Sequence, residues 1–417
     1  MLGILADPGW PDSGQGGLGG SLKALLAPQG LESRAMTTSQ EPRRRMRIGE
    51  GRISGATSIV FGSISLGGVL CFLYPEYLTT PEFRVQYDVE ALRRLLSACM
   101  FIAFGFALRS LIANPSKRAG LIGGGLTLLA LALGGAGVEL AEIPDAPIYI
   151  SLDYLLLSLI AMALMFVPLE LFLPQHREQT KFHAEWRTDL AYFIIAHLFV
   201  QGVAVLTQGP VWALLGGAGF ESLRGSVSSL PFLAQVLLAV LVADLFQYAV
   251  HRLFHTVPYL WRFHAIHHSA RSMDWLAGSR LHVVDVIATR MLVYLPLFVL
   301  GFEQEVLIAY VSIVATHAVM NHTNTRLPFG PLEYLIVTPR IHHWHHSNNE
   351  QAYDKNFAVH FPWIDRLLGT YHAPRGEWPE AVGLDDAAFP VGYLPQLVYP
   401  FRHDPLKETP EGEISTR

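Results

Sequence analysis

The chain has 417 residues, 51% of them hydrophobic and only 16% charged, where soluble domains carry about a quarter charged residues. That composition argues against an ordinary soluble globular protein and for a membrane body with tails. A net charge of −5 without a basic stripe excludes a nucleic-acid partner, and Cys71 and Cys99, both inside apolar runs, support no disulfide framework and leave the redox compartment open.

In chain order, residues 1–52 are rich in Gly, Pro, Ser and Arg and end near the run "RRRMR". They read as a disordered basic N-terminal tail. Uncharged stretches follow at 53–75, 95–108, 119–138, 154–169, 190–220 and 225–243, most of them close to the roughly 20 residues that cross hydrocarbon as a helix. Six crossings before His251 are expected, within a transmembrane region spanning 53–230 and continuing into the next. Short loops rich in Lys and Arg stay cytoplasmic. With the N-terminus inside, the tail, the "NPSKR" loop and the 174–189 loop hold twelve basic residues, against Arg84, Arg93, Arg94 and Arg224 on the other side. An even number of crossings then puts His251 at the cytoplasmic face. Two short apolar stretches, 291–302 and 306–320, predict a hairpin that starts and finishes on that same face. The part beyond 375 reads as a polar C-terminal tail. The expected fold class is all-α, a multi-pass transmembrane helix bundle with a helical histidine cage at its cytoplasmic face.

Fourteen of the eighteen histidines lie between His251 and His372. "HRLFH" spaces His251 and His255 four apart. "HAIHH" spaces His264, His267 and His268 at i, i+3 and i+4, and "HHWHH" repeats that pattern in His342, His345 and His346, leaving His343 turned elsewhere. On helices each set projects from one face. Neutral imidazole binds Fe, Zn, Cu and Ni. Eight such donors exceed the four of one tetrahedral zinc, which favours two metals sharing a cage. His176, His183, His197 and His403 stand alone and read as ordinary core or interface residues. Asp244, seven residues before His251 in "ADLFQYAVHRLFH", is an intramembrane carboxylate; its expected role is to accept the outer N–H of a ligating histidine.

These boxes, with "NHTNTRLPFGPLEYLIVTPRIHHWHHS" and "DKNFAVHFPWIDRLLGTYHAP", resemble the fatty acid hydroxylase and sterol desaturase superfamily, integral membrane non-haem di-iron oxygenases. The resemblance covers roughly residues 237–375, giving an expected hydroxylase-like domain at 231–375. It implies that His251, His255, His264, His267, His268, His342, His345 and His346 are iron ligands, joined by His322 in "HTN" and His282 in "SRLH". His317 falls off the expected spacing, and His360 and His372 lie outside the boxes. The implied cofactors are two Fe ions, with O2 as co-substrate. The implied partners are a lipid substrate of sterol or fatty-acyl type and a separate electron donor, either a ferredoxin, a cytochrome b5-like carrier or a reductase. The expected location is the inner membrane in a bacterium or the endoplasmic reticulum in a eukaryote. Hydroxylation and desaturation stay open. So do two readings from other classes, a histidine-rich metal or haem transporter and a zinc-dependent membrane hydrolase. The first wants ligands at the membrane midplane, and the second wants the Glu of "HExxH" where Arg252 stands.

Overall fold

In the computed structural model, residues 52–80, 84, 88–141, 149–384 and 389–402 are described; the tail at 1–51 and His403 lie outside them. Every named element is a helix, and the one strand-like pairing among the described residues is an isolated bridge between Ser347 and Val382. Among the described residues, six helices are long and apolar enough to cross a membrane, or seven if a bent pair counts as one span.

The first group is α1 (Arg52–Leu73), the single turn α2 (Pro75–Leu78), α3 (Val89–Ala113) and α4 (Arg118–Ala132). Lipid gives apolar helices no hydrophobic drive to associate, so close packing of small residues takes over. A Cβ on Gly123 of α4 would lie 2.2 Å from Ser58 Oγ of α1. Arg93, near the start of α3, donates to the carbonyls of Ala136 and Val138 just past the end of α4. This satisfies acceptors that a helix end leaves unpaired.

Helix α5 (Leu152–Phe172) begins where the first group ends, since Asp153 accepts from the Thr80 amide at 3.0–3.1 Å. It runs back to the opposite end, where Glu170 Oε1 accepts from the amides of Trp275 and Asn324. Helix α6 (Trp186–Leu198) returns, its last carbonyl accepting from Ser151 N at 3.0 Å. After a 58° bend α7 (Val200–Leu215) follows, then α8 (Glu221–Ser228). Helix α9 (Phe232–Thr256) climbs to the histidine end and is succeeded by α10 (Pro258–His268). Helices α11 (Val283–Leu300) and α12 (Gln304–His322) descend and return, followed by α13 (Pro339–His345), α14 (Pro362–Leu368) and α15 (Tyr393–Arg402). The alternation puts the start of α1, the α3–α4 turn, the α5–α6 link and the histidines at one end of the bundle.

Three details differ from the sequence-based expectation. The stretch 225–243 is divided at Pro231, so α8 is separate and α9 supplies the span. Helix α11 has span length because it extends N-terminally through Asp285 and Arg290, charged positions that hydropathy alone treats as a boundary. The tail beyond 375 contains α15, which packs Tyr393 on Tyr192 at 4.7 Å between ring centroids and buries Gln396.

Candidate metal centre

Nine histidines converge in two clusters, each with its donor atoms within 4.8 Å of one another. The first holds His251 and His255 from α9, His264 and His268 from α10, and His345 from α13. The second holds His267 from α10, His322 at the end of α12, and His342 and His346 from α13 and its cap. Helix geometry explains this division. At about 100° per residue, positions i and i+4 nearly align whereas i+3 lies about 60° to the other side. So His264 and His268 stay together while His267 crosses to the second cluster, and His342 and His346 stay together while His345 crosses to the first. The clusters adjoin, with the rings of His268 and His346 stacked at 4.4 Å.

The outer nitrogens fix the tautomers. A carbonyl oxygen only accepts, so a ring nitrogen bonded to it carries the hydrogen. His251 Nδ1 donates to Phe357 O (2.7 Å), His267 Nδ1 to Arg280 O (3.1 Å), His322 Nδ1 to Ala318 O (2.8 Å) and His345 Nδ1 to Lys355 O (2.8 Å). His264 Nδ1 donates to the Asp285 carboxylate at 2.7 Å. In the neutral rings every one of these Nε2 atoms is therefore a bare lone pair aimed inward. His251 and His264 bring two such atoms to 3.0 Å, and His267 and His322 bring two to 3.3 Å. With no hydrogen between them these contacts are not hydrogen bonds. Metal–nitrogen bonds of about 2.1 Å place neighbouring donors about 3 Å apart, and the clusters have that spacing. Buried Nε2 atoms of His255, His268 and His345 also lack partners.

Protonation does not relieve the crowding. Burial first, and then the neighbouring imidazoles, hold His267, His268, His342, His345 and His346 well below the usual histidine range. Neutral, convergent, dehydrogenated nitrogens are what metal binding requires. The donor set therefore fits two metal ions.

The loop after α13 shapes the first cluster. Asp354 and Asn356 adopt left-handed backbone (φ 53° and 59°) on either side of Lys355, a conformation that Asp and Asn tolerate better than most residues. The twist turns the Lys355 carbonyl to His345 and the Phe357 carbonyl to His251. Asp365 holds the amides of Phe357 and Ala358 at 2.8 and 2.9 Å.

Asp244 departs from its expected role. It bonds no histidine ring; its two oxygens accept from the amides of Val359, His360 and Phe361 at 2.7–3.1 Å and clamp the same loop. The carboxylate hydrogen-bonded to a converging histidine is Asp285, on His264, and Asp354 lies 3.5 Å from His255 Nδ1; spacing along the sequence marks neither of them. His282 likewise stands outside both clusters. Its Nδ1 accepts from Val284 N to cap α11, and its Nε2 donates to Leu397 O at 3.0 Å, leaving no nitrogen for a metal. His317 donates to Val337 O and accepts from His360 Nδ1 at 2.8 Å, so this pair is structural. His343 turns away to the edge of Trp378.

A third group lies beside the second cluster. His183 Nε2 is 3.2 Å from Asp274 and 3.4 Å from Asp189. The fully buried Arg280 guanidinium pairs with Asp189 (2.6 Å) and Glu185. Because the Arg280 carbonyl receives His267 Nδ1–H, this ionic group holds the backbone that orients a converging histidine.

Residues 236–370 match the family model described as "Fatty acid hydroxylase". Among similar proteins, the ornithine lipid hydroxylase OlsE of Rhizobium tropici is 33% identical over 43% of this chain and 54% of its own length. Human alkylglycerol monooxygenase is 32% identical over 32% of this chain and 30% of its own length. Methylsterol monooxygenase 1 of Rattus norvegicus is 26% identical over 34% and 48%. The chain thus spans about half, or less, of the curated relatives it matches. No solved structure matches it significantly. The matched segment contains all nine converging histidines, eight on α9, α10 and α13 with its cap and His322 at the end of α12, and it is this segment that is similar to the fatty acid hydroxylases.

Proposed function

We propose that the chain is a membrane-bound di-iron oxygenase that oxidises a C–H bond of a lipid, with hydroxylation the favoured outcome. The observation that supports it is the pair of adjoining clusters of bare imidazole nitrogens. His251, His255, His264, His268 and His345 would hold one iron, and His267, His322, His342 and His346 the other. Imidazole suits iron, and neither cluster contains the carboxylate base that a zinc hydrolase needs. Relatives named as hydroxylases and monooxygenases favour insertion of oxygen over removal of a second hydrogen.

Two reduced irons supply O2 activation strong enough to break an unactivated C–H bond. The reaction balances as lipid C–H plus O2, two electrons and two protons, giving the lipid alcohol and water. The chain's own residues supply the surroundings. Carbonyls of Phe357, Lys355, Arg280 and Ala318, with Asp285, lock the ring tautomers and orientations. Burial of the cage keeps bulk water from the reacting atoms. Electrons come from a separate ferredoxin, cytochrome b5-like carrier or reductase. The twelve basic residues expected at the histidine end support a cytoplasmic position for the cage. The substrate is a membrane lipid of fatty-acyl or sterol type.

The test compares lipid extracts of cells lacking the gene, carrying it, or carrying His345→Ala. A lipid gaining one oxygen atom only with the intact gene supports the proposal; loss of two hydrogens would shift it to desaturation. The same product made by His345→Ala would overturn it.

A further inference from the structure

Among the large apolar side chains exposed on the described residues, five lie on two neighbouring segments too short to cross a membrane. They are Leu332, Tyr334 and Leu335, with Leu367 and Leu368 at the end of α14, and their exposures run from 52% to 76%. Arg366 joins the two segments into one surface. It donates to Tyr334 O at 3.2 Å and lies over the rings of Tyr334 (5.0 Å) and Tyr371 (4.1 Å).

The depth of this surface is fixed by hydrogen bonds. Helix α14 follows directly on residues 359–361, whose amides are held by Asp244 of α9, and His360 is held by His317 of α12. Asp244 precedes His251 by seven residues, which is about 10 Å along the helix towards its apolar start. The segment therefore reaches past the histidines, down the flank of the bundle. At that level α9 itself presents Leu245 and Phe246 outward, 44% and 41% exposed, at the end of an uncharged run from Phe232 to Ala243. Exposed apolar area of this kind marks an interaction site. Its continuity with the outer face of a spanning helix says which kind, and Tyr and Arg at its edge are residues that settle at a membrane–water boundary. Of the two acidic residues in these segments, Glu333 is paired with Arg340 at 2.8 Å and Asp365 is buried, its carboxylate turned inward to the Phe357 and Ala358 amides.

We propose that residues 330–335 and 362–368 form an apron inserted into the bilayer, its partner being the acyl region of the leaflet on the histidine side. The inference rests on α9 crossing the membrane and is independent of which metal the histidines hold. The test uses the full chain, with Cys71 and Cys99 replaced by Ala, reconstituted in phosphatidylcholine vesicles. Nitroxide labels are placed in turn at Leu335→Cys, Leu367→Cys and Leu368→Cys, with Leu237→Cys on the outer face of α9 as the lipid reference and Glu350→Cys as the water reference. Collision with oxygen, which concentrates in lipid, is compared with collision with a water-soluble nickel chelate. The expected oxygen-to-nickel ratio at the three apron sites matches that at Leu237. A ratio matching that at Glu350 would place the patch in water, as a surface for a protein partner, and overturn the proposal. Shielding from both reagents would mean another chain covers the patch and would overturn it equally.

Discussion

Among the described residues, three groups of side chains bring donor atoms to metal-binding distance, yet the two histidine clusters and the His183–Asp189–Asp274 group differ in kind. In the clusters, the outer nitrogens of His251, His267, His322 and His345 are committed to carbonyls and that of His264 to Asp285, so their inner nitrogens point into the clusters with nothing between them. In the third group the carboxylates are already matched, by Arg280 on one side and by His183 on the other. Proximity of donors is common to all three. What sets a metal site apart is lone pairs that no proton or cation in the protein satisfies.

The largest expected effect follows from removing a donor. His267→Ala and His345→Ala should each lose bound metal and abolish lipid oxidation, whereas His183→Ala should retain the metal; elemental analysis of the three purified variants makes the comparison. Next comes Arg280→Met, which takes the guanidinium from the buried Asp189 and the partly buried Glu185. Breaking such a group costs about 3–5 kcal/mol, so thermal unfolding of the metal-free protein should shift sharply downward, with partial recovery in Arg280→Lys.

Asp285→Asn keeps the fold and replaces the strong acceptor on His264 Nδ1. Loss of an outer partner of this kind lowers metal affinity by about 10–100-fold, measurable by competition with a chelator. The smallest effect is expected for His282→Ala, which removes a helix cap worth about 1 kcal/mol and should leave metal content unchanged. Metal loss in that variant would return His282 to the ligand set.

Acid should separate the two regions by sign. Burial and neighbouring imidazoles hold the folded pKa values of His267, His268, His342, His345 and His346 below that of the unfolded chain. Below about pH 6.5 the unfolded state then binds more protons, and the metal-free protein loses stability as pH falls. His183 moves the other way. Burial lowers its pKa, but Asp274 and Asp189 outweigh this and raise it. Its contribution is full below the unfolded pKa and is lost as pH rises through the folded one. Melting temperatures across pH should therefore show His183→Ala costing more at about pH 6 than at about pH 9.

Much of this was legible in sequence because helical periodicity carries it. The spacing of His264, His267 and His268 gives their faces directly, and uncharged runs mark most spans. The division of donors between two clusters was not legible, since it depends on how α10 and α13 meet. Asp244 and Asp285 show the same limit. Both are carboxylates near the boxes, and local spacing favoured Asp244 because it sits two turns below His251. The chain instead brings residues 359–361 against Asp244 from more than a hundred positions away, and α11 delivers Asp285 to His264. The left-handed pair Asp354 and Asn356 left a trace in "DKN", but the carbonyls they aim become meaningful only beside His345 and His251.

The central claim is that two clusters of bare nitrogens each hold an iron, and the most direct measurement is the metal content of the full chain purified in mild detergent, with Mössbauer spectra of the iron-loaded protein. Two irons per chain in nitrogen-rich sites, falling in His267→Ala and in His345→Ala, is the predicted result. A single zinc, or an iron content that neither substitution changes, would contradict it.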